Sequence, residues 1–363
     1  MIERVYLDNI RTFVNFEWRP GPLALLLGAN GAGKTALLDA LRGLQSFLMG
    51  DASSVEAFPA ASRTRWDRRR EQTAEIDVRG SGGLYRYRLV IEHHARESGK
   101  SRVTQESLHH EDKLLVEFVD GELRLFRDDG SPGPRIHAHR GRSGVGAVAP
   151  GADDRLLTWF KEWMFALWLL RPDPRAMTAR VEAKDDEWLA PDMGNFATSY
   201  LRYLATKPGS VFKASAALGQ VLPGFLELHE RLGYLHARFG DDSASESFRF
   251  DELSDGQRAL IALYVLRWTI SGPGKTLVID EPDNYVSLRE IQPWLTEMTD
   301  LALGRNGPQL WIVSHHPEVL NLLAEDYGWR FFRDGAGPTR VERFKPAEGI
   351  DAAETVARGW EDA

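Results

Sequence analysis

The sequence predicts an α/β fold whose core is split along the chain, and three observations carry that reading. The apolar run Leu23–Leu27 has the length of a buried strand and passes at once into a glycine-rich turn, after which Leu37, Leu38, Leu41 and Leu44 recur at the spacing of one helix face. Residues 276–279 and 309–313 are two further apolar runs of strand length, each followed by polar residues and then by helical spacing. Between these halves, residues 80–130 alternate as antiparallel strands do. The expected division is a core from residues 1–50 and 246–345, a β segment over 51–150, a helical lobe over 151–245 and a tail over 346–363.

Each element has local grounds. Val5 and Leu7 alternate as a strand, Phe16 and Trp18 extend it, and Pro22 precedes the buried run. Residues 52–80 are polar and arginine-rich. Over residues 84–92, Tyr85, Tyr87, Leu89 and Ile91 share one face of a half-buried strand. Residues 114–118 and 122–126 flank Asp120-Gly121, a dipeptide suited to a two-residue hairpin turn. Residues 130–150 read as loop. Helices are expected over 156–170, 197–204, 211–222 and 225–239, where no seven-residue repeat persists long enough for a coiled coil. Further helices are expected over 256–270 and 287–303, and after residue 315, followed by terminal strands.

Composition excludes several classes. Hydrophobic residues make up 43% and charged ones 27%, the balance of a globular chain. Without cysteine there is no disulfide framework, zinc ribbon, iron–sulfur cluster or thiol nucleophile. No apolar stretch approaches the about 20 residues that cross a bilayer, and residues 1–20 lack the pattern of a secretory signal. A cytoplasmic location and no membrane partner are expected. Forty-five Lys and Arg against 53 Asp and Glu give a formal charge of −8, so any DNA binding would need a local basic patch rather than overall charge.

The glycine-rich turn carries the clearest chemistry. Gly28-Ala-Asn-Gly-Ala-Gly-Lys34-Thr35 fits G-x-x-x-x-G-K-[ST], the phosphate-binding loop of a P-loop NTPase, and it stands between strand and helix as that loop must. Backbone amides of Gly28, Ala29, Asn30, Gly31, Ala32, Gly33 and on to Ala36 would surround phosphate oxygens, helped by the partial positive charge of the helix start. Lys34 would neutralise the β- and γ-phosphates of ATP, and the Thr35 hydroxyl would be a ligand of Mg2+.

Asp280-Glu281 closes the run 276–279, at the carboxyl end of a buried strand where open α/β sheets hold ligands. Asp280 is the second metal candidate, and Glu281 would polarise the attacking water. His315 ends the run 309–313 through Ser314 and would act as a γ-phosphate sensor or proton carrier; His316-Pro317 reads as a helix start. Leu253-Ser-Asp-Gly-Gln257 satisfies the capping box S/T-x-x-E/Q, and the same capped tip, with Ser254, Gly256 and Gln257, would also accept an anion.

Together these four segments, in this order, resemble the Walker A, signature, Walker B and switch-histidine motifs of ATP-binding-cassette ATPases. The start, Leu7-Asp-Asn-Ile-Arg-Thr-Phe13, resembles the heads of the RecF, SMC and OLD group rather than transporter cassettes. Glu106-Ser-Leu108, Gly194-Asn195-Phe196 and Val221-Leu-Pro-Gly224 are similar to pieces of small prokaryotic AAA-type ATPases of defence operons. The resemblance implies an ATP- and magnesium-dependent ATPase. Two heads would close face to face as a homodimer, Ser254, Gly256 and Gln257 acting on the partner's nucleotide and Asp283 standing in the contact loop. It implies a role on DNA or on a separate effector protein, in defence or repair. Two alternatives stand beside it: a transporter ATPase subunit, and an ATP-gated scaffold that does not hydrolyse. The glutamine of the family's coupling loop has no assignment, neither Gln72 nor Gln105 being in a persuasive context. The 48 residues after His315 are too few for the toprim nuclease domain of OLD proteins, so no nuclease activity in cis is expected.

Weaker signals remain. Five arginines surround Trp66 between Arg63 and Arg70, and Arg135, Arg140 and Arg142 add three more; nucleic acid and a solvated surface both account for them, the acidic net charge favouring the second. His93-His94 and His109-His110 point to opposite strand faces and do not suggest a shared metal. Trp159, Trp163 and Trp168 predict a helix apolar nearly all round, which a core or a docking surface for a second protein would both explain, the core being favoured.

Overall fold

Alternating apolar and charged residues build the largest sheet of the chain. In the computed structural model, which describes residues 1–94, 99–149, 154–182, 188–241 and 243–359, the chain divides into two units. The first joins Met1–Leu167 to Tyr327–Phe344, and the second joins Trp168–Asp326 to Lys345–Ala363.

The first unit begins with β1 (Ile2–Asp8), β2 (Phe16–Trp18), β3 (Leu23–Leu27), α1 (Lys34–Met49) and α2 (Ser54–Ala57). It continues with β4 (Glu71–Gly80), β5 (Gly83–His93), β6 (Ser101–His110), β7 (Lys113–Val119), β8 (Glu122–Phe126), β9 (Pro132–His137), α3 (Gly144–Ala147) and α4 (Arg155–Phe165). Eight of these strands form one antiparallel sheet in the order β2-β1-β4-β5-β6-β7-β8-β9. The β7–β8 turn holds Asp120 at φ 49° and Gly121 at φ 94°, the double left-handed pair that the dipeptide predicts. Helix α4 lays aromatic rings on the sheet: Trp159 stacks on Tyr85 at 4.7 Å and Phe160 on Tyr87 at 5.8 Å.

Two expectations fail in this stretch. Residues 130–150, expected as loop, contain β9 and α3; β9 is an exposed edge strand whose two prolines, glycine and single isoleucine leave no alternating pattern to read. The helix expected over 156–170 stops at Phe165, and Leu167–Leu170 forms β10, buried at every residue. A strand covered on both faces is a continuous apolar run, so it merges in sequence with the helix before it.

The second unit holds β10, α5 (Phe196–Thr206), α6 (Pro208–Val221), β11 (Phe225–Arg231), β12 (Tyr234–Gly240) and β13 (Ser245–Arg249). After these come α7 (Asp255–Thr269), β14 (Thr276–Asp280), α8 (Leu288–Leu303), β15 (Gln309–Val313), α9 (Pro317–Tyr327) and α10 (Ala352–Ala357). Strands β10, β14 and β15 are neighbours in that order, and β14 runs parallel to β15 from Thr276↔Gln309 to Asp280↔Val313. The helix expected over 225–239 is instead the hairpin β11–β12, turning at Leu232-Gly233 with φ 54° and 81°. Phe225, Leu228, Leu232 and Leu235 imitate helical spacing, but Leu232 is exposed at the turn while Leu228, Leu235 and Ala237 are buried. Buried Trp294 donates its indole N–H to Leu263 O at 3.0 Å, tying α8 to α7.

The chain then re-enters the first unit as β16 (Gly328–Arg333) and β17 (Thr339–Arg343). Strand β16 pairs parallel to β3 and antiparallel to β17. Among the described residues no helix is long and apolar enough to cross a membrane.

Candidate functional site

The loop after β3 is built around close backbone approach. A Cβ at Gly28, where φ is 140°, would run into the carbonyl oxygen of Phe331 in β16, so only glycine lets the loop leave the strand here. At Gly33 a Cβ would lie 2.6 Å from Thr339 Oγ1. Buried Thr339 fixes the loop from β17: its hydroxyl donates to Ala32 O at 2.9 Å and lies 2.7 Å from Thr12 Oγ1. Helix α1 starts with no side-chain cap and no acidic residue in its first turn, which leaves its first amides for an anion. Lys34 is buried and curls its ammonium back onto Gly28 O and Ala29 O, inside the loop, while Ala29, Asn30, Gly31 and Thr35 are exposed. A cradle that a methyl group would fill, uncapped amides and an inward lysine suit a polyphosphate.

The start of the chain supports this loop. Asn9 Oδ1 accepts the Thr64 N–H at 3.1 Å, and its amide donates to Arg69 O and Glu71 O, so the turn beside Thr12 also pins the arginine-rich segment. That segment divides by role. Arg69 pairs with Asp8 and Asp67. Arg65, Arg68 and Arg70 are exposed, as is Trp66, over whose ring Arg333 lies at 5.6 Å. Gln72 is buried and spends its amide on Asn9 O, Ser62 Oγ and His93, a structural role.

In the second unit Asp280 ends β14 as a buried carboxylate. Glu281 follows at φ 53°, its N–H donating to Val313 O at 2.8 Å, which turns the side chain out of the strand line. Its Oε2 lies 3.2 Å from Arg171 Nη2 and 3.5 Å from Asn284 Nδ2. Arg171, the residue after β10, also reaches Asp280 Oδ2 at 3.8 Å. Two adjacent carboxylates, both reached by the Arg171 guanidinium, which is itself more than half exposed, are a donor set suited to a divalent cation. Sequence reasoning missed Arg171; the signal available was an apolar run that ends in a charge, as the runs before Asp280 and His315 do.

The remaining candidates fall as follows. His315 is exposed after β15, whereas buried Ser314 donates to Asp283 Oδ2 at 3.0 Å. Asp283 is therefore turned inward, and burial raises its pKa above the usual carboxylate value. His316 Nδ1 accepts the Glu318 N–H at the start of α9. Ser254 and Gln257 form the reciprocal capping box of α7, with Ser254 exposed at the tip. Gly256 lets this tip close on the next loop, since a Cβ there would be 2.9 Å from Tyr285 O.

Residues 23–321 match the model of the family described as "AAA domain, putative AbiEii toxin, Type IV TA system". The chain belongs to this AAA domain family. No curated protein matches the sequence. Among solved structures, an SMC head bound to the C-terminal winged-helix domain of ScpA is similar at 11% identity and a TM-score of 0.56, over 96% of this chain and 98% of that one. The SMC head domain from Thermotoga maritima also matches at 11% identity, with a TM-score of 0.49, over 95% of this chain and 99% of that one. The fold is that of an SMC head, the P-loop fold of ATP-binding-cassette type, as the four motifs imply.

Proposed function

We propose that this chain binds ATP with magnesium, hydrolyses it, and uses the cycle to close and open a homodimer of heads that drives or gates a process on DNA or on a separate effector protein, in genome defence or repair. The observation that carries the reading is the loop after β3, where Lys34 is turned inward and the first amides of α1 have no cap.

The chain's own groups divide the work. Amides from Gly28 to Ala36 orient the triphosphate, and Lys34 neutralises its outer phosphates. Thr35 and Asp280 offer the hydroxyl and carboxylate oxygens that magnesium takes, and the ion would supply charge neutralisation at the phosphates. Glu281 accepts a proton from the attacking water, and His315 hydrogen-bonds the γ-phosphate. Ser254 stands exposed at the helix tip with Gly256 and Gln257 half-buried behind it, which supports action on the partner's nucleotide rather than their own. A cytoplasmic protein fits this chemistry.

Phosphate release by the purified chain tests the proposal. Wild type should turn over, Lys34→Ala should bind no ATP, and Glu281→Gln should bind ATP, lose about 100-fold or more in turnover and accumulate as a dimer. Binding without turnover in wild type would favour the ATP-gated scaffold, and recovery from membranes would favour a transporter subunit.

A further inference from the structure

Two carboxylates of like charge stand side by side at the end of β14, and Arg171 balances both. Its backbone is anchored, the Arg171 N–H donating to Pro191 O at 2.7 Å. A little further on, Arg175 Nε lies 3.4 Å from Asp255 Oδ2, and its guanidinium sits 5.5 Å above the Tyr285 ring. Arg258 fixes the same place from within α7, reaching Asp255 Oδ1 at 2.5 Å and Met177 O at 3.4 Å. Asp255 lies between Ser254 and Gly256, at the tip of α7. The short strap over residues 171–177 therefore starts at the carboxylate pair and ends at the helix tip, with an arginine–carboxylate pair at each end.

We infer that this strap couples the two places: Arg171 is a positioning residue that stands in for a cation at Asp280 and Glu281, and its displacement when a divalent cation arrives is carried through Arg175 to the Ser254–Gly256 tip. A guanidinium and a divalent cation compete for the same oxygens, and neither carboxylate is left without a counter-charge in either state. Both arginines are more than half exposed, so their pairs are weak enough to exchange. The inference rests on the proposal that Asp280 takes magnesium together with ATP.

The test uses the full chain, a fluorescent ATP analogue and magnesium. Arg171→Ala should lower the magnesium concentration for half-maximal analogue binding by about three- to fivefold, the scale of one exposed ion pair. Arg171→Lys, which keeps the charge, should move it back toward wild type. Arg175→Ala should leave that concentration unchanged. In both alanine variants, hydrogen exchange over residues 253–260 should no longer respond to analogue plus magnesium, as it does in wild type. A magnesium titration of Arg171→Ala that superimposes on wild type, or a tip that still responds in both variants, overturns the inference. If Asp280→Asn leaves the magnesium dependence of wild type intact, the functional proposal fails at the metal and the inference falls with it.

Discussion

Replacing Gly28 by alanine places a methyl group against the Phe331 carbonyl oxygen, in a backbone conformation of φ 140° that L-residues avoid. The conformational cost is about 1–2 kcal/mol, and pushing apart a loop and a sheet-bonded strand adds about 1–3 kcal/mol. Gly31 provides the control. It also has positive φ, 82°, but a Cβ there meets nothing within 4 Å, so Gly31→Ala should cost about 1 kcal/mol. The difference of about 2 kcal/mol should displace the urea midpoint of Gly28→Ala by about 1 M relative to Gly31→Ala, at the slopes usual for urea. Unfolding should be followed by tryptophan fluorescence, and the thermal shift on adding ATP and magnesium recorded beside it. That shift should persist in Gly31→Ala and vanish in Gly28→Ala. Equal midpoints for the two variants would refute the close approach of Gly28 to β16.

Two further predictions concern the first unit. Glu106 is fully buried and accepts hydrogen bonds from Tyr87 Oη, Ser143 Oγ and Gly144 N, and burial raises its pKa above the ordinary 4.5. A raised folded pKa means that the folded state holds the proton more tightly, so wild type should lose stability as pH rises from the unfolded value through the folded one and regain it on acidification. Glu106→Gln removes that titration: from pH 7 to pH 5 wild type should gain stability relative to it in urea melts, and a gap independent of pH would count against the assignment. If exposed Arg65, Arg68 and Arg70 hold DNA phosphates, log K for DNA should fall with log salt at about −0.9 per contact, and replacing all three by alanine should flatten the slope by about 3 × 0.9. A slope unchanged by the triple substitution would assign these residues to a solvated surface.

Legibility followed how local the deciding interaction is. The loop from Gly28 to Thr35, the capping box at Ser254 and the Asp120-Gly121 turn are each specified within a few residues, and all take the geometry their residue types require. The alternation of Tyr85, Tyr87 and Leu89 likewise located a strand whose register depends on a single buried face. Arg171 was invisible because its partners lie 110 positions away at Glu281 and because β10 has no polar residue to separate it from α4. The β11–β12 hairpin was misread for the opposite reason, its apolar residues falling at helical intervals while Leu232-Gly233 supplied the turn. Gln72 shows a third limit, since a buried amide serving Asn9 and His93 looks in sequence like any polar residue at the start of a strand.

The central claim is that the α7 tip of one chain completes the nucleotide site of another, and mixing two inactive variants tests it most directly. Lys34→Ala lacks the phosphate grip, and Ser254→Asp keeps a competent helix cap while setting a carboxylate against phosphate. Each should be inactive alone, and an equal mixture should regain up to about a quarter of the wild-type rate, because a mixed pair contains one site with both parts intact. Mixed pairs that form but release no phosphate, beside an active wild type, would contradict the claim.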